Sequence, residues 1–282
     1  MEPSHREHAF TDVDAQRDPA AWVDVLDKLR REPLYAAYKT RTVELLDPQR
    51  GGRYLEIGTG PGTDALALAE EFGVNVVGVD ASTVMIEEAR RRGLSEAVVA
   101  DAHSLPFESD TFDGAWADRT FQHLADPATA LAEMVRVTKP GGSVVVVDPD
   151  YATQVVDIPD QVLAGRVLRF RSDYALRNGT LAHQMGRLFT QAGVVDVRVE
   201  AMPTVLRDPT ALDNALGLRD WATFAHERGL VEADEVREWQ EALDTAAREG
   251  WFLYCFCLFL TAGRTAGGSR GNRGFPRAPT PP

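Results

Sequence analysis

Between residues 53 and 147 the chain alternates five short apolar runs with amphipathic segments, a rhythm that few folds accommodate. The runs lie at 54–57, 74–79, 97–100, 112–116 and 143–147. None shows the polar alternation of a half-exposed strand, so each reads as a parallel strand covered on both faces. The segments between them, 64–72, 83–92 and 127–137, carry apolar residues at helical spacing. Strand and helix in alternation predict an α/β fold with a doubly wound, mostly parallel sheet and helices on both faces.

The flanks are less regular. Residues 1–20 are polar and aperiodic, and are expected to be mobile or to drape over the rest. A helix is predicted over 21–31, with Trp22, Val25, Leu26 and Leu29 on one stripe. A second, over 34–46, starts after Pro33 and uses Leu34, Tyr38, Leu45 and Leu46. Beyond Asp150 the pattern predicts helices over 155–177 and 181–191, strands over 194–199 and 251–260, and a polar helical stretch over 208–249. From Gly263 the tail is rich in Gly, Pro and Arg and reads as disordered.

Thirty basic against 43 acidic residues give a net charge of −13, and the Arg-rich tail leaves the rest more acidic still. Such a body repels phosphate backbones, so nucleic acid is not an expected partner. Two Cys cannot build a disulfide framework, no Cys/His cluster has zinc-finger spacing, and the Cys255/Cys257 pair has no His or third Cys nearby, so no metal is expected. The first residues lack an apolar core of the secretory type, and no apolar run reaches the length of a membrane span. The expected location is the cytoplasm.

The chemistry concentrates in Leu55-Glu56-Ile57-Gly58-Thr59-Gly60-Pro61-Gly62, between a strand and a helix. Glycines there let the chain turn tightly and let a ligand approach. Asp80 ends the second run, where an acid can accept hydrogen bonds from ribose hydroxyls. The dinucleotide fingerprint needs glycine where this chain has Thr63, and Glu56 beside the turn would repel a pyrophosphate. A ligand with a ribose, an ammonium group and no phosphate fits better.

With these motifs the sequence resembles the class I, Rossmann-like S-adenosyl-L-methionine-dependent methyltransferases. It is most similar to those of ubiquinone and menaquinone biosynthesis and of natural-product tailoring. The glycine motif matches Glu56 to Gly62, the ribose acid matches Asp80 with Ala81 beside it, and the adenine-side pair matches Asp101-Ala102. The fourth-strand motif runs from Phe112-Asp113 to Asp118, and the fifth is Lys139-Pro140-Gly141-Gly142-Ser143. The resemblance implies a seven-stranded sheet closed by an antiparallel hairpin, with S-adenosyl-L-methionine as cofactor. It assigns Glu56, Gly58, Gly60, Gly62, Asp80, Ala81, Asp101, Ala102 and Asp118 to cofactor binding. It also divides the chain into a helical cap (1–50), a cofactor-binding core (51–150), helical insertions with the final strands (151–262) and a tail (263–282).

Methyl transfer from a sulfonium is a direct displacement that needs a base only if the acceptor must lose a proton. His123, in the segment after the fourth strand, is the candidate base, while Asp148, Asp150 and Tyr151 follow the fifth strand, where they can orient an acceptor. Tyr35, Tyr38 and Lys39 are expected across the mouth, and 155–187 is expected to shape the substrate site. Cys255 and Cys257 read as buried thiols. The expected reaction is methylation at O or N of a small, natural-product-like molecule, by a monomer or homodimer with no membrane partner. C-methylation of a quinol or polyketide, a non-methylating cyclase and a regulatory binding module remain alternatives.

Overall fold

The computed structural model describes residues 13–15, 18, 21–31, 33–209, 213 and 217–267. Seven strands form one sheet in the order β3-β2-β1-β4-β5-β7-β6. They are β1 (Arg53–Ile57), β2 (Asn75–Asp80), β3 (Glu96–Val99), β4 (Phe112–Asp118), β5 (Thr138–Val156), β6 (Val195–Leu206) and β7 (Tyr254–Arg264). β1 to β5 are mutually parallel, and β7 runs antiparallel to both β5 and β6. Strand order reverses between β1 and β4, and ligands of open α/β sheets bind outside the carboxyl ends at such a point.

Successive strand side chains point to opposite faces, so the sheet separates two cores. Tyr54, Trp116, Val145 and Val147 face one core. There they meet α1 (Ala21–Arg31), α2 (Pro33–Leu46), α3 (Thr63–Phe72), α4 (Thr83–Arg91), α6 (Gln161–Phe170), α8 (Trp221–Glu227) and α9 (Ala233–Glu249). Leu55, Ile57, Ala115, Val144 and Val146 face the other, against α5 (Pro127–Val137) and α7 (Met185–Gln191). Asp126 and Asp160 start α5 and α6, each accepting two backbone amides at the helix entrance.

Several boundaries differ from the sequence reading. β5 does not stop at 147. It continues through Asp148-Pro149-Asp150 to Val156, with a register break between Asp150 and Val155. The predicted 155–177 helix is therefore only α6, followed by a π-helical turn over Arg171–Ala175. β7 begins at Tyr254 and runs past Gly263, and Thr265 is buried with its hydroxyl donating to the Lys139 carbonyl. Residues 263–267, assigned to the tail by the sequence reading, thus belong to the described structure, and 268–282 lie outside the described residues. Cys255 and Cys257 alternate with buried Tyr254, Phe256 and Leu258, so they are partly exposed rather than buried. No group of metal-binding side chains forms among the described residues, and no described helix is long and apolar enough to cross a membrane.

α2 crosses the sheet toward its β6 edge. Arg41 is buried on it, donating from Nε at 2.7 Å and Nη2 at 2.6 Å to Glu200 of β6. This hydrogen-bonded charge pair holds the Glu200 carboxyl below its usual range. Removing the guanidinium strands a partly buried carboxylate, so Arg41→Ala should lower the unfolding free energy by about 2 kcal/mol in denaturant titrations. Because the Glu200 pKa is depressed, the loss should be full at neutral pH and shrink as pH falls below about 4, where the unfolded carboxylate protonates.

Candidate active site

The glycine turn joins β1 to α3, and its shape is dictated by close protein neighbours. Gly58 has φ of +73°, and a Cβ there would come within 2.1 Å of Thr120 Oγ1. Gly62 has φ of +76°, and a Cβ would lie 2.9 Å from that of Ala89. The left-handed backbone and the tight packing both require glycine. At Gly60 a Cβ would meet, among the described residues, Leu26 at 3.5 Å.

Asp80, at the end of β2, accepts from the Gly60 amide at 2.8 Å and from the Ser82 amide at 2.9 Å. Burial pushes its carboxyl above the usual range, against the pull of these two amides. Each carboxylate oxygen keeps acceptor capacity for a further donor. Ala81 beside it is exposed. Asp14 accepts from the Thr83 amide at 2.8 Å and from the Ser82 hydroxyl, so Asp14 is held at this edge of the site.

Asp101 follows β3 and is exposed, while Ala102 is buried in the second core. Hydrogen bonding from the His103 amide, chiefly, and from its ring holds the Asp101 carboxyl below its usual range. His103 Nε2 accepts from the Asp126 amide at 3.1 Å, which leaves its Nδ1 proton for Asp101.

Glu56 does not face the mouth. Strand alternation places it beside Tyr54 on the α2/α3 face, where it is buried. Thr59 Oγ1 donates to it at 2.6 Å and Trp116 Nε1 at 3.1 Å. Burial, and then the nearby Asp64 charge, push its carboxyl up to about 8. It is a neutral acid at neutral pH, so it is not the charge that would repel a pyrophosphate.

That discrimination passes to other groups. Lys39 on α2 donates to both Asp64, in the first turn of α3, and Asp118, at the end of β4. Asp118 also accepts from Tyr38 Oη at 3.2 Å and Arg119 Nε at 3.4 Å, and its side chain is 5% exposed. Burial alone would raise Asp64, and Lys39 more than reverses that. The cations nearest the turn are thus bound to carboxylates: Lys39 and Arg30 to Asp64, and Arg92 to Asp27. A pyrophosphate would have to displace them. The Tyr35 side chain lies outside the described residues.

The candidate acceptor residues separate into two groups. Asp148, near the end of β5, is buried and accepts from the Gln122 amide at 3.5 Å. Burial, and then Asp118, raise its carboxyl well above the usual range. Its Oδ2 and the Gln122 Oε1 are buried with no partner. His123 is partly buried on the short turn Phe121–His123, and Asn178 ties that turn down by donating to the Phe121 and Leu124 carbonyls. Asp150 is fully buried and accepts from the Ala152 amide at 3.0 Å, the His183 amide at 2.9 Å and His183 Nδ1 at 2.5 Å. Tyr151 points to the opposite face. There it stacks on Phe256 and lies under the Arg171 guanidinium, 4.9 Å from its ring centroid. The sequence reading missed His183, which stands 33 positions from its partner in a segment with no motif.

The neutral state of Glu56 can be tested. An acid with a raised folded pKa stabilises the fold below its unfolded pKa and loses that stability as pH rises toward its folded value. Glu56→Gln reproduces the neutral acid. Its stability relative to wild type should rise by about 1.4 kcal/mol per pH unit between about pH 5 and 8, read from unfolding curves. A pH-independent difference would show that Glu56 is ionised.

Residues 55–146 match the methyltransferase domain family Methyltransf_11. A protein of Streptomyces fradiae transposon TN4556, described only as uncharacterized, is 37% identical over 78% of this chain and 66% of its own length. Methyltransferase GfsG of Streptomyces halstedii is 35% identical over 45% of this chain and 51% of its own length. The chain therefore spans only about half to two thirds of these relatives. Phosphoethanolamine N-methyltransferase 2 of Haemonchus contortus, in complex with S-adenosyl-L-methionine, shares the fold with a TM-score of 0.58. It is 20% identical, and the match covers 92% of this chain and 60% of that one. Residues 55–146 thus carry a methyltransferase domain, in a chain whose fold is shared with S-adenosyl-L-methionine-binding methyltransferases.

Proposed function

We propose that this chain transfers a methyl group from S-adenosyl-L-methionine to an oxygen or nitrogen atom of a small natural-product-like acceptor. The observation that carries this reading is the row of carboxylates at the strand ends. Asp80 ends β2, Asp101 follows β3 and Asp118 ends β4, and Lys39 and Arg30 nearby are already paired. That set of acceptors suits an adenosine with a positive charge and no phosphate.

In this reading Asp80 receives the ribose hydroxyls, while Asp101 and the Ala102 amide receive the adenine edge. Gly58, Gly60 and Gly62 shape the turn, and Gly60 also holds Asp80 in place. Ala81 borders the ribose. Asp118 and Lys39 form the wall beneath the cofactor's charged end, and Glu56 supports that wall from inside. The bound cofactor supplies an electrophilic methyl carbon. The protein's contribution is alignment and the exclusion of water, to which α2 and Asp14 contribute from above.

Asp80→Asn removes a charge from hydrogen bonds worth about 1.5–3 kcal/mol, so S-adenosyl-L-methionine affinity should fall roughly 10–100-fold in calorimetry. Supplied with a methyl-13C cofactor and a metabolite mixture, the wild-type chain should form S-adenosylhomocysteine and a labelled product in equal amounts. Cofactor binding without that product would favour the cyclase or binding-module alternatives. Binding of a nicotinamide dinucleotide in its place would overturn the proposal.

A further inference from the structure

We infer that His183 is the group that takes the acceptor's proton, and that the acceptor therefore presents a hydroxyl. The inference rests on the methyltransferase reading and deepens it.

The location comes first. β5 carries Asp148 and Asp150 on one face, and the segment after β4 is bonded to the segment that precedes His183. The Asn178 amide donates to the Gln122 carbonyl at 3.0 Å, and the Tyr151 amide donates to Gly179 at 2.9 Å. These bonds bring residues 178–184 against the carboxyl ends of β4 and β5, the edge where ligands meet such a sheet. His183 is thus on the acceptor side of the cofactor turn, although it lies outside every sequence motif.

The chemistry follows from the contrast within the pair. The Asp150 carboxylate is 0% exposed and is fixed by two backbone amides, one of them from His183 itself. The His183 side chain is 50% exposed. An imidazole hydrogen-bonded to a carboxylate through Nδ1 carries its proton there, and the Nε2 lone pair is left to accept. Asp150 is then a positioning residue. It fixes the ring and its tautomer and stabilises the imidazolium once formed.

Between the oxygen and nitrogen nucleophiles of the proposed reaction, such a base serves the oxygen one. A neutral amine attacks with its own lone pair, whereas a hydroxyl is a poor nucleophile until its proton leaves. Nε2 of His183 accepts the hydroxyl proton as the oxygen bonds to the methyl carbon, and the carbon–sulfur pair remains on sulfur. The positive charge lost at sulfur reappears on the imidazolium, against Asp150. The products are a methyl ether, a neutral thioether and a protonated His183.

The test uses the full chain labelled with 15N-histidine, with S-adenosylhomocysteine and sinefungin as probes; sinefungin has an amine-bearing carbon in place of the methylated sulfur. His183→Gln identifies the His183 signals. In the wild type the ring should be the Nδ1–H tautomer, and its Nε2 signal should shift further with sinefungin than with S-adenosylhomocysteine. Asp150→Asn should release the ring into a mixture of tautomers. A wild-type proton on Nε2 would overturn the inference. So would an Nε2 signal unmoved by sinefungin that calorimetry shows to be bound. A ring left purely Nδ1–H in Asp150→Asn would remove Asp150 from the positioning role. If that variant does not fold, the wild-type tautomer and shift decide alone. Failure of both probes to bind would instead sink the methyltransferase reading itself, and is distinguishable for that reason.

Discussion

Lys39 is the cation on which the carboxyl edge of the sheet depends. It reaches from α2 between Asp64 and Asp118, two acids delivered by different strand–loop junctions. Burial pulls its own pKa down, and the two carboxylates more than restore it, leaving it raised. Without this charge, Asp64, Asp118 and the nearby Glu56 would form an acidic cluster under the glycine turn that Arg30 and Arg119 relieve only from its edges, at 3.3 and 3.4 Å. The same contact docks α2, and two residues on Arg41 pins the helix to β6. A single helix therefore sets both the sheet's outer edge and the electrostatics of its mouth.

The legible part of the fold was the part governed by local pattern. The apolar runs of β1, β2 and β4 are bounded by glycines and acids, and both cores follow from their alternation. The glycine turn, Asp80 and Asp101 were legible because residue type and position act together there. What the pattern concealed was tertiary. Asp148-Pro149-Asp150 has the composition of a turn, and it is strand only because β7 pairs alongside and buries it. Its two carboxylates are tolerated because the Gln122 and His183 amides reach them from distant segments. Glu56 was placed on the right strand, but its orientation depends on Trp116 and Thr59, one of them 60 residues away.

The glycines show how one motif can carry two meanings. Their usual interpretation is ligand access, yet at Gly58 and Gly62 the nearest obstacles are Thr120 and Ala89. The turn is tight because β4 and α4 crowd it. That crowding holds the Gly60 amide toward Asp80 and so fixes the acid. Packing and binding are not competing explanations here, since the packed turn is what positions the binding group.

The distribution of buried acids gives the site its sign. Burial raises the carboxyls of Glu56 and Asp148, whereas Lys39 holds that of Asp64 low. Acids pushed up and acids pulled down thus lie within one small region, and a raised one gives up its proton more readily if a cation arrives. A cationic ligand would then be met by two effects at once: attraction to the acids already ionised, and a drop in the pKa of those that are not. Proton release would accompany its binding, and the acidic edge would adjust its charge to that of its ligand.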